Sequence, residues 1–171
     1  MILRAVFVFV ACLIVFSSRS GFGLDEQKQH QGLLKSMGKA KVILQQGLGM
    51  AELQGQPISG KFELENDTEF QLSVFTAKAG KFAEVIVHYG NGKLSKPEAI
   101  TQGEDLVEAK VESAAMAKAK ITLKAAVDAA VSQNAGYRAI SIFPSLKDGH
   151  SVGAVVLLKD QDFKTVEIPL E

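Results

Sequence analysis

Residues Met37-Gly38-Lys39-Ala40-Lys41-Val42 return 79 positions later as Met116-Ala117-Lys118-Ala119-Lys120-Ile121. The match continues in phase, with Leu44, Leu48 and Ala51 falling on Leu123, Val127 and Ala130. A fixed internal period points to one supersecondary unit used twice. Each block runs into alternating apolar residues broken by Gly and Asp, so the unit joins helix to strand.

The expected fold class is α+β: two tandem repeats, each a helix packed on a three-stranded antiparallel β-meander, with a further helix before each. In the second unit, Glu104–Lys120 reads as a helix whose apolar points are Leu106, Val107, Val111, Ala114 and Ala115. Its counterpart, Asp25 to about Lys41, is more polar and reads either as a helix or as a frayed arm. Thr122 is placed to cap a helix over Leu123–Ser132, which Asn134 and Gly136 end. Leu44, Gly47, Leu48 and Ala51, with Met50, do the same work in the first unit, which Gly55 with Pro57 ends, although Gly47 and Gly49 weaken it. Strands follow at Ile58–Glu65, Glu69–Ala77 and Phe82–Tyr89, and again at Tyr137–Pro144, Ser151–Lys159 and Phe163–Leu170. Asn66-Asp67, Ala79-Gly80, Asp148-Gly149 and Asp160-Gln161-Asp162 supply the turns. The first repeat spans 24–94, the second 104–171, and 95–103 is a linker carrying Pro97.

Residues 1–23 read as a secretory signal. Arg4 precedes an apolar run from Ala5 to Phe16, and small residues follow to Gly23. Twelve apolar residues are too few to span a bilayer, which needs about 20. An uncleaved anchor and lipidation of Cys12 are the alternatives. Cleavage after Ser20 or Gly23 implies an extracytoplasmic protein, periplasmic or secreted. Cleavage after Gly23 leaves 148 residues without cysteine, so core burial must supply the stability. Loss of Arg4 and Arg19 leaves 17 basic against 19 acidic side chains. That balance argues against nucleic acid and anionic membrane surfaces as partners.

Motifs for catalysis are absent: no HExxH, GxSxG, phosphate loop or CxxC occurs. Gly47-Leu48-Gly49 lacks the third glycine of a dinucleotide fingerprint, and Asn91-Gly92 reads as a turn after a strand. His30, His88 and His150 have no metal-ligand spacing, so neither a metal nor a cofactor is expected. Asn66-Asp67-Thr68 has the form of a glycosylation sequon, relevant only to a eukaryotic secretory source. An enzyme is not expected.

Five residues are candidates for binding a protein partner. Val152–Leu158 is apolar on both faces, which calls for a cover on each side and singles out Val155 and Leu157. Phe75, Tyr137 and Phe143 fall out of phase with the core-facing positions of their strands. They either pack the two units together or form an exposed apolar face that a protein covers.

The stretch Lys120-Ile121-Thr122-Leu123-Lys124-Ala125-Ala126-Val127-Asp128-Ala129-Ala130, and its first-unit version from Lys41 to Leu53, resembles the opening helix of PepSY domains. Val85-Ile86-Val87 with Gly92-Lys93-Leu94 resembles that family's closing strand and turn. His88 stands where the family has Asp, and the second unit has Asp162-Phe163-Lys164 in place of the Gly-Lys ending. The resemblance covers most of 41–171. It implies an extracytoplasmic bacterial α+β module of the kind found in metallopeptidase propeptides and envelope proteins. A secreted, non-catalytic protein-binding module follows as the expectation, with a peptidase as one kind of partner and inhibition as one role. An envelope scaffold or small-ligand carrier is the alternative; oligomeric state stays open.

Overall fold

The computed structural model describes residues 24–66 and 68–171, with side chains from residue 30 onward. The signal segment, Cys12 and Asp67 of the first expected turn lie outside the described residues. Four helices and seven strands follow in the order α1 (Leu24–Met37), α2 (Leu44–Ala51), β1 (Gln56–Glu65), β2 (Glu69–Lys78), β3 (Lys81–Val87), β4 (Glu98–Ile100), α3 (Gly103–Met116), α4 (Leu123–Ser132), β5 (Arg138–Lys147), β6 (His150–Lys159) and β7 (Asp162–Pro169). The class is α+β, as expected. Among the described residues no helix is long and apolar enough to cross a membrane.

All seven strands form one antiparallel sheet in the order β4-β3-β2-β1-β5-β6-β7. This sheet is larger than the two three-stranded sheets expected. β1 meets β5 edge to edge, with Gly60 opposite Ile142 and Lys61 opposite Ser141. Two edges that would each expose unpaired amides and carbonyls satisfy one another instead. The expected linker also changes character, because Glu98–Ile100 pairs with β3 as the short edge strand β4.

Local chemistry explains the elements. Thr122 accepts a hydrogen bond from the Ala125 amide at 3.2 Å and starts α4. Two-residue turns at Ala79-Gly80 and Asp148-Gly149 have positive φ at both positions (51° and 74°, 51° and 83°), the geometry that matches strand twist. Asp160, with φ of 54°, opens the β6–β7 turn. After β3 the chain folds back through Gly92, whose amide donates to the His88 carbonyl at 2.8 Å. Asn91-Gly92 is therefore the turn the sequence suggests.

Successive strand residues point to opposite faces. A Cβ built on Gly60 would lie 3.0 Å from Leu48 and 3.4 Å from Leu44, so Gly60 faces α2. Its partner Ile142 and then Val155 continue across that face. α2 and α4 lie side by side there, and Leu44, Leu48, Leu123 and Val127 join Leu72, Val74, Ile142, Val155 and Leu157 in one core. Ser59, next to Gly60, points the other way and meets α3, as its bond to Glu112 shows. α1 reaches the second half of the sheet through its C-terminus, where the Met37 carbonyl accepts from the Arg138 guanidinium at 2.8 Å.

The paired glycines of α2 have opposite roles. A Cβ on Gly47 would fall 2.1 Å from Leu72 Cδ2, whereas one on Gly49 would meet nothing within 4 Å. Gly47→Ala should therefore lose about 1–3 kcal/mol through overpacking. Gly49→Ala should gain about 0.5–1 kcal/mol from reduced freedom of the unfolded chain. Urea denaturation of the two variants checks the pair; equal effects would show that α2 does not seat on Leu72.

Candidate functional site

The five candidate partner-binding residues do not share one environment. Val155 and Leu157 are fully buried on the helix-covered face, and Phe75 is 7% exposed on the opposite one. None of these three presents a surface to a partner. β6 is apolar on both sides, but only its Val155 and Leu157 side is fully covered, by α2 and α4; α3 crosses the other face of the sheet and leaves β6 half-open there. Phe143 differs, with 37% of its area exposed. It points to the α3 side, opposite Ala154 on β6. Val152, Ala154 and Val156 share that side of β6 and are only half-buried.

Tyr137 is half-buried just before β5. Its hydroxyl donates to the Asp162 carboxylate, and this bond raises its pKa above the ordinary phenol value. The Lys159 and Lys164 ammonium groups lie 5.8 and 5.9 Å from its ring centre. Tyr137 thus anchors the β6–β7 turn.

The structure also assembles a polar cluster that the sequence did not announce. By register, Ser59 and Lys61 of β1, Ser73 of β2, Glu84 of β3 and Ser141 of β5 share the face crossed by α3. Ser59 Oγ donates to Glu112 Oε2 of α3 at 2.7 Å, and the Glu112 side chain lies in a residue only 5% exposed. Burial pushes its pKa up to about 8 against the opposing effects of Ser59 and Lys61, with Glu108 pushing the same way. Burial likewise raises Glu84, although Ser73 Oγ donates to it at 2.5 Å. Glu108 is raised by burial too. Burial alone would lower Lys61, but Glu63 at 2.8 Å holds it above the usual lysine range.

This cluster goes with an α3 rotated away from the expected orientation. Val107 and Val111, read as core positions, are 63% and 52% exposed, and Ala114 is exposed as well. Of the other expected apolar points Ala115 is buried and Leu106 half-buried, and the helix also buries Ala109, Glu112 and Met116. The reason lies in the surface beneath it. A sheet face of serines, a lysine and a glutamate makes better contact with a hydrogen-bonding carboxyl and small side chains than with valines. The one available signal was Ser59, Ser73 and Ser141 on the strand faces opposite the core residues.

The three histidines lie in different surroundings. His30 packs against Phe163 with ring centres 5.1 Å apart, His88 stacks on Tyr89 at 5.0 Å, and His150 lies 3.5 Å from Glu171. No group of three or more His, Cys, Asp or Glu residues that could hold a metal occurs among the described residues. A cavity of about 400 Å³ opens between α2 and the α3–α4 connection, lined in part by Leu48, Pro57, Met116, Ile121 and Leu123. Compared with known proteins, the chain matches no family model, no curated protein and no solved structure.

Proposed function

We propose that this chain is a secreted, non-catalytic protein-binding module made of one helix–helix–meander unit used twice, at 24–94 and 104–171, joined through 95–103. The resemblance to PepSY domains in Lys41–Leu53 and Lys120–Ala130 motivates this reading, and a peptidase is one candidate partner. Equivalent bonds support the duplication. The Lys41 and Val42 amides both donate to the Tyr89 carbonyl, and the Lys120 and Ile121 amides both donate to the Leu170 carbonyl. The strand registers shift between Pro57 and Ser59 in one half and between Ala139 and Ser141 in the other. The same spacing of 82 residues makes Gly60 equivalent to Ile142, and these two face each other at the central seam. An approximate two-fold axis therefore passes through that pair.

The observation that carries the binding role is the open apolar strip of Phe143 with Val152, Ala154 and Val156 on the α3 side of β5 and β6. Exposed aromatic and β-branched residues in a row form the kind of surface a partner covers. Phe143→Asp should abolish specific capture of a partner from the native secretome and leave the thermal midpoint within a few degrees. Equal capture by wild type and variant, or no specific capture by wild type, would count against the role. The carrier reading has the 400 Å³ cavity in its favour. Native mass spectrometry that shows only the bare polypeptide mass argues against it.

A further inference from the structure

We propose that Glu112 and Ser59 form a proton-controlled latch for α3: with the carboxyl neutral the helix lies on the sheet, and ionisation releases it and uncovers the polar face of β1, β2 and β5. The geometry comes first. α3 has 14 residues and buries only four, of which Ala109 and Ala115 are small and Met116 sits at the last position. Val107 and Val111 face away from the sheet, and Leu106, near the start of the helix, is only half-buried. Little apolar area therefore holds the middle of the helix down. Glu112 stands at that middle, buried, with the Ser59 hydroxyl at 2.7 Å. A carboxyl in this place is comfortable when neutral and costly to keep when charged.

The surrounding charges do not remove that cost. Lys61 on β1 favours the anion but is drawn toward Glu63, Glu84 and Glu108 as well. Glu108, one turn back on α3, opposes the anion, and Glu104 and Asp105 bear on Glu108. β2 and β5 bring the neutral Ser73 and Ser141 to this face. At the end of the sheet Ser151, on the Val155 side of β6, donates its hydroxyl to the Ala115 carbonyl at 2.9 Å. That last bond involves no titratable group, so it anchors the C-terminal end of α3 while the rest lifts. Ionisation in the lifted state and not in the docked one is the coupling that makes a latch.

Hydrogen exchange of the α3 amides on the intact protein, corrected for the intrinsic pH dependence, tests the latch. Opening should rise about tenfold per pH unit above the ordinary glutamate range and level off near pH 8, roughly a thousandfold in all. Amides of β1, β5 and α4 should stay better protected than those of α3 at every pH, because they open only with global unfolding. Glu112→Gln should remove most of the rise, because its amide keeps the hydrogen bond without a charge, and the raised Glu108 leaves only a small remainder. Ser59→Ala should move the plateau to higher pH, since the hydroxyl that favours the anion is gone. Exchange of α3 that ignores pH, a Glu112→Gln variant that keeps the full rise, or α3 amides as well protected as those of β1 and β5 would each overturn the proposal. Were Glu112→Gln not to fold, an unmoved plateau in Ser59→Ala would overturn it equally.

Discussion

Leu157→Ala should cost the protein about 2–5 kcal/mol, whereas Phe143→Ala should cost less than about 1 kcal/mol. Both residues were sequence candidates for one binding surface, and the structure separates them completely. Leu157 has no exposed area and packs in the core beneath α4, so truncation leaves a cavity that its neighbours fill only in part. Phe143 is 37% exposed, and water already reaches much of its ring. Urea denaturation of the two variants reads the contrast directly. A loss below about 1 kcal/mol for Leu157→Ala would mean that β6 does not lie under α4 as described.

Wild-type stability should fall as pH rises from about 4.5 to about 8, and Glu112→Gln should remove most of that fall. The sign follows from the direction of the shift. Glu112 has a folded pKa of about 8 against an ordinary 4.5, so folding favours the protonated carboxyl. The associated stability is complete below the ordinary value and is lost as pH climbs through the folded one. One pKa unit is worth about 1.4 kcal/mol, which puts the whole effect on the order of 4–5 kcal/mol. Glu84 and Glu108 are raised as well and leave a smaller decline of the same sign in the variant. Glu171 acts in the opposite sense. The Ser151 amide and His150 hold its pKa down, so its contribution is present at neutral pH and is lost in acid. Denaturation curves for wild type and Glu112→Gln at pH 5, 7 and 8.5 suffice. Parallel pH profiles would show that Glu112 is not buried as an acid.

The two results draw on different parts of what a sequence makes visible. Leu72 with Val74, and Val85 with Val87, alternate along β2 and β3 and are fully buried, because solvent exclusion on one side of a strand writes a two-residue period into the chain. The same logic failed on β6. A period of two cannot tell which of two covered faces a residue joins, and so Val155 and Leu157 were read together with Phe143. For α3 the pattern misled outright. Val107 and Val111 look like a core stripe, yet the part of the sheet they would cover carries Ser59, Lys61, Ser73, Glu84 and Ser141, which lie on four separate strands. No window along the chain contains that information.

Sequence by itself determined the secondary elements and their local stops: the Thr122 cap, the glycine turns, and the recurrence of Met37–Val42 at Met116–Ile121. These depend on neighbours a few residues away, where residue type and backbone geometry are tied directly. Tertiary structure decided the joining of β1 to β5, the recruitment of Glu98–Ile100 into the sheet, and the burial of Glu112 against Ser59. Edge pairing uses backbone groups that every residue carries, and the burial of a carboxyl depends on what the fold places opposite it, 53 residues away.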